Sequence, residues 1–165
     1  MKSRYLIIAL ILLLLVGSAS AWLDGYSYRK IDTITGSSAG DQTNYQMKVI
    51  VHRSDGTDNG PDVYIGTDGC LPDYADIRFT DTSDVSLDYW IESNDTSSAV
   101  IWVEVPLIPS TGTDIWMYYG NSGASGVSNG DATFLLFDHF EGTSLDDEKW
   151  TKSGTVLVSE SIASI

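Results

Sequence analysis

Between Trp22 and Asn121 the chain repeats one local pattern, a short run of β-branched and aromatic residues closed by Gly, Pro, Asp, Asn or Ser. Such runs favour a pleated, half-buried surface, and no window here carries the 3.6-residue period of an amphipathic helix. Strands are predicted at Tyr26–Thr35, Tyr45–Arg53, Asp62–Ile65, Asp76–Thr80, Leu87–Glu92, Ala99–Val105 and Thr113–Tyr119. Their close, regular spacing predicts an all-β fold, an antiparallel and jelly-roll-like β-sandwich. An N-terminal signal helix is expected to precede it.

Side chains on a strand alternate between two faces, so each run also predicts what it buries. Leu87, Tyr89 and Ile91 share one face; Ile101, Val103 and Val105 share another; Ile115, Met117 and Tyr119 a third. The opposite faces carry Trp90, Trp102, Trp116 and Tyr118 beside Asp88, Glu92 and Glu104. If these strands are neighbours, the three indoles form a flat outer strip. Aromatic faces flanked by acids suit sugars, whose C–H patches stack on rings while carboxylates bind the hydroxyls. Trp90, Trp102, Trp116 and Tyr118 are therefore the candidate ligand-binding residues. The competing expectation is that they pack against another part of the chain.

Residues 1–21 read as a cleavable secretory signal. Lys2 and Arg4 precede the uncharged run Leu6–Val16, and Ser18-Ala19-Ser20-Ala21 ends in an Ala-x-Ala site before Trp22. The run is short for a bilayer span, so contact with a membrane is expected only through this segment if it stays uncleaved. The chain is expected to act outside the cytoplasm, secreted or at the cell surface. Its formal charge of −14 argues against nucleic acid and anionic lipid as partners. Cys70 is the single cysteine, so no internal disulfide is available and stability must come from packing.

The segment Gly120–Gly130 is small and polar, like a linker. A new pattern follows in Phe134–Gly142 and Ser144–Trp150. The expected organisation is a signal at 1–21, a β-sandwich at 22–130, and at 131–165 the start of a second β domain cut off early, as in a fragment.

The matching residues Tyr28-Arg29-Lys30, Tyr45–Val49, Asp76–Asp81, Leu87–Glu92, Trp102–Pro106 and Ile115–Asn121 give the stretch from Tyr26 to Phe140 a family likeness. It resembles domain of unknown function 2341, found in exported archaeal and bacterial surface proteins. Phe137–Gly142, Leu145-Asp146 and Trp150 are similar to the opening strand of concanavalin A-like lectin and glucanase jelly rolls. That second resemblance implies carbohydrate contact by association. Neither brings catalytic residues to this chain.

Enzyme chemistry finds little to stand on. The Glu-x-Asp-x-x-Glu strand of the glucanase jelly rolls is missing, as is a Gly-x-Ser-x-Gly elbow. No cofactor is expected, with calcium as the one possibility. Asp55, Asp58, Asn59 and Asp62 gather hard oxygen ligands in one loop, although their spacing is not that of an EF-hand. Asp and Asn are equally ordinary turn formers. Asn94-Asp95-Thr96 is an N-glycosylation sequon in an expected turn, making Asn94 a candidate acceptor.

The expected function is that of an exported, non-catalytic module binding a glycan or cell-envelope polymer. Two alternatives stay open: a structural spacer within a larger surface protein, and an accessory domain of a polysaccharide-degrading enzyme.

Overall fold

The computed structural model describes residues 22–159 and 162–164. The signal segment 1–21 lies outside the described residues. Among the described residues ten strands and one short helix follow in order: β1 (Tyr28–Ile34), β2 (Gln42–His52), β3 (Asp62–Tyr64), β4 (Arg78–Asp81), β5 (Ser86–Leu87), β6 (Tyr89–Asn94), β7 (Ser98–Ile108), β8 (Thr113–Tyr119), α1 (Gly130–Thr133), β9 (Leu157–Ser159) and β10 (Ile162–Ser164). Two four-stranded sheets form the expected β-sandwich, one ordered β1-β8-β4-β5 and the other β3-β2-β7-β6. Every pairing in them is antiparallel except β2 with β3, which run parallel.

The alternation fixes the core. Val49, Val51, Ile101, Val103, Val105 and Tyr89 of one sheet face Phe79, Ile115, Met117 and Tyr119 of the other, all buried. The run Leu87–Glu92 does not form one strand. The chain changes sheets at Asp88, so Leu87 pairs with Phe79 in the first sheet and Tyr89 with Val103 in the second. Both side chains still reach the core, because the crossing keeps their inward phase.

The segment Gly120–Gly130 is tied down at several points. Arg78 donates to Ser125 O at 2.6 Å, Ile91 N donates to Ser128 Oγ at 2.8 Å, and Asn129 N donates to Tyr89 O at 2.8 Å. The strap thus occupies polar groups along the outer edge of β6, where an open strand edge would invite foreign pairing. Asn129 then caps α1, accepting from Ala132 N.

Edge strand β1 is protected differently. Lys30 and Asp32 lie in register with Met117 and Ile115, and so on the inward side. Lys30 Nζ reaches Asp58 at 2.8 Å, clamping the first sheet to the loop before β3. Inward charges on an edge strand oppose pairing with another chain.

Cys70 is buried, and burial pushes its thiol up to about 12. The thiolate is the reactive species. Cys70 is therefore expected to stay unmodified by iodoacetamide in the folded chain at pH 8 and to react fully once urea unfolds it. Intact-mass measurement before and after unfolding checks this, and rapid labelling of the folded chain would contradict it.

Candidate functional site

The four candidate aromatic residues do not form one strip. Trp90 and Trp102 are cross-strand partners on β6 and β7, whereas Trp116 and Tyr118 lie on β8 in the opposite sheet. Their outer faces point away from each other across the sandwich. The sequence pattern set the face of each residue correctly but not the sheet to which its strand belongs.

The chain itself covers much of the first pair. Phe134 and Phe137 approach the Trp90 ring edge-on at 5.8 and 4.7 Å, and His139 lies 5.3 Å from it. Phe134 also lies 6.2 Å from Trp102, whose Nε1 donates to Glu92 at 2.9 Å. The turn after the strap seats this cover. A Cβ on Gly130 would lie 2.3 Å from the Phe137 ring, so only glycine admits the ring there. Lys149 ties the cover down through Asp131 and the Phe137 carbonyl. The indole pair is thus a docking surface for residues 134–139.

The second pair stands in a different cluster. The Arg29 guanidinium lies 4.0 Å above the Trp116 ring and 4.9 Å from Trp22. Beneath them Tyr118 is fully buried, with Trp22 and Tyr26 edge-on to its ring at 6.4 and 6.1 Å. Arg29 also donates to the Tyr118 hydroxyl at 3.3 Å, and that hydroxyl donates to Asp84 at the same distance. Tyr118 therefore supports this surface and offers no ring face to a ligand. Trp22 is 47% exposed and Ile31, the cross-strand partner of Trp116, is 48% exposed. Sequence reasoning missed Trp22 and Arg29. The only signal for them was their position just before and inside the first strand, which does not reveal that β1 pairs with β8.

The acidic loop is not brought together as a metal site. Asp58 accepts from Lys30 and from Tyr64 N at 2.8 Å, while Asp62 pairs with His52 Nε2 at 2.6 Å. Asn59 and Asp62 exchange backbone hydrogen bonds of 3.1 Å. Among the described residues no group of three or more His, Cys, Asp or Glu side chains is arranged to hold a metal ion. Asp58 and Asp62 are thus engaged by Lys30, the Tyr64 amide and the His52 ring, and Asp and Asn are common in such turns.

Asn94 ends β6 and is exposed at a tight turn into β7. Asp95 organises that turn by accepting from Ser97 and Ser98 N, and these amides hold its carboxyl below the usual range.

A separate cleft of about 710 Å³ opens between β1 and β2. Ile34, Tyr45, Met47 and Ile108 line it, with Asp32 at its side. No local pattern signals it, because it exists only where two distant strands leave the sandwich open.

Residues 73–153 match the family model described as Domain of unknown function (DUF2341). The match takes in β4 through β8, the strap, α1 and the stretch Phe134–Trp150. The motifs Tyr28–Lys30 and Tyr45–Val49 precede it. No curated protein and no solved structure matches the chain.

Proposed function

We propose that this chain is an exported, non-catalytic module that binds a glycan or cell-envelope polymer on the outer face of the β1-β8-β4-β5 sheet. The observation supporting this is the cluster in which exposed Trp22 and Ile31 flank half-buried Arg29 and Trp116. An indole half open to solvent offers a stacking face for a sugar ring, and the guanidinium supplies several donors in a fixed plane for hydroxyls. The rings are held in place before any ligand arrives, which lowers the ordering cost of binding. The leader-like residues 1–21 place the module outside the cytoplasm in this reading. The likeness of Phe137–Trp150 to lectin jelly rolls favours the same ligand class by association.

A spacer role is the second reading, favoured by the Trp90–Trp102 face, which the chain uses to seat its own residues 134–139.

The test is a panel of glycans and envelope polymers presented to the purified chain and to two double variants. Trp22→Ala/Trp116→Ala is expected to weaken binding at least about tenfold, a loss of about 1.4 kcal/mol. Trp90→Ala/Trp102→Ala is expected to lower stability while leaving the affinity of the folded fraction unchanged. If the panel gives no ligand for the folded chain, the spacer reading takes its place.

A further inference from the structure

We propose that the open edge of β2 receives an extended polypeptide segment from a partner as an added strand, apolar toward the cleft and bearing a Lys or Arg opposite Asp32. The site lies at the open side of the sandwich and is separate from the Trp22–Trp116 face.

Strand β3 pairs with only Ile50, Val51 and His52, so the longer part of β2 has no strand on that side among the described residues. The backbone there is aimed outward. Ile50 N donates away from β7 to Pro61 O at 2.7 Å, and His52 O accepts from Ile65 N at 3.0 Å. The register with β7 runs without a shift from Tyr45 to His52. Strand alternation therefore turns the N–H and C=O groups of Gln46 and Lys48 the same way, into the opening. These are the groups that strand addition uses.

The side chains beside this edge are also incompletely covered. Tyr45 shares the inward row of Met47 and Val49 yet is 49% exposed. Together with Ile34, Met47 and Ile108 it leaves an apolar channel that alternate side chains of an added strand would fill. Across the channel the Asp32 carboxylate has no hydrogen bond or ion pair among the described residues, and the neighbouring Lys30 is taken by Asp58. Burial, then the nearby charges of Asp58 and Asp114, raise the Asp32 carboxyl above its ordinary range. A cation set against it relieves that penalty. The facing edge of β1 carries Lys30 in its clamp, which disfavours pairing there, so β2 is the edge open to a partner.

The probes are synthetic hexapeptides whose three alternate positions on one face carry two Val and one Lys, Gln or Glu, so that the variable side chain lies in the same row as the Val residues, the row that faces Asp32. They are titrated into the full chain with amide exchange followed by NMR. Lys-bearing peptides are expected to bind, to slow exchange at Gln46 and Lys48, and to bind at least about tenfold better than Glu-bearing ones. Lys48→Pro removes only an N–H that β7 does not use, and is expected to abolish binding with the fold intact. Asp32→Asn is expected to erase the preference for Lys over Glu. The proposal is overturned if no peptide binds, if binding leaves the Gln46 and Lys48 amides unprotected, or if folded Lys48→Pro binds as well as the parent. Protection of the same amides through self-association without peptide also overturns it, making a second copy the occupant. Should Lys48→Pro fail to fold, the exchange pattern and the Asp32→Asn titration decide.

Discussion

Replacing Asp76 by alanine is expected to cost about 4 kcal/mol of folding stability. Asp76 is 1% exposed. Its Oδ1 accepts from Leu71 N at 2.8 Å, and its Oδ2 accepts from Gly120 N and Asn121 N at 2.9 and 3.1 Å. One carboxylate thereby joins the loop before β4 to the end of β8 and the start of the strap. Alanine strands three part-buried backbone donors, and each costs about 1–3 kcal/mol when left buried and unpaired. Asp76→Asn keeps one oxygen but turns an N–H₂ group toward amides that need an acceptor. It is expected to recover less than half of the loss. Urea unfolding followed by tryptophan fluorescence measures both, and an Asp76→Ala midpoint within error of the parent would show that Asp76 is not the anchor described here.

The second large effect is expected from Phe79→Ala, at about 3–5 kcal/mol. Phe79 is 1% exposed on β4, pairs with Met117 and Leu87, and meets the Tyr89 ring edge-on at 5.4 Å. Truncation removes a ring from between the sheets and opens a cavity that flanking strands cannot close. It also loosens Tyr89, whose hydroxyl donates to Ile77 O at 2.7 Å and receives Arg78 at 3.2 Å. Because Arg78 holds the strap through Ser125, the damage should spread to that segment. Exchange of the Ile91 and Asn129 amides is expected to accelerate more than exchange in β2. Equal acceleration throughout would show that the strap is not coupled to this part of the core. For a domain held by about 5–15 kcal/mol, either substitution consumes a large share of the margin.

Much of this architecture was legible in the sequence because strand alternation is local. The inward sets Ile101, Val103, Val105 and Ile115, Met117, Tyr119 needed only their own neighbours to declare a buried face, and all are buried. The one run read as a single strand, Leu87–Glu92, failed because changing sheets at Asp88 leaves the inward phase intact and so leaves no mark in the pattern. The same limit governed the aromatic residues. That Trp90, Trp102 and Trp116 face outward follows from their immediate neighbours. That Trp116 lies on the opposite sheet from the other two depends on pairings between residues far apart in the chain.

By itself, then, the sequence determined an acidic, all-β chain with strands near their observed places, and an Asp/Asn-rich loop suited to turns. Tertiary structure alone decided which indole pair the chain covers with Phe134 and Phe137, and which is joined by Trp22 and Arg29. It also decided that Asp58 meets Lys30, that Asp76 collects three amides, and that β3 leaves much of β2 open. The physical reason is range. Facing is set within two residues along a strand, whereas a partner is chosen by long loops whose closure entropy changes little with length, leaving only the assembled contacts to select it.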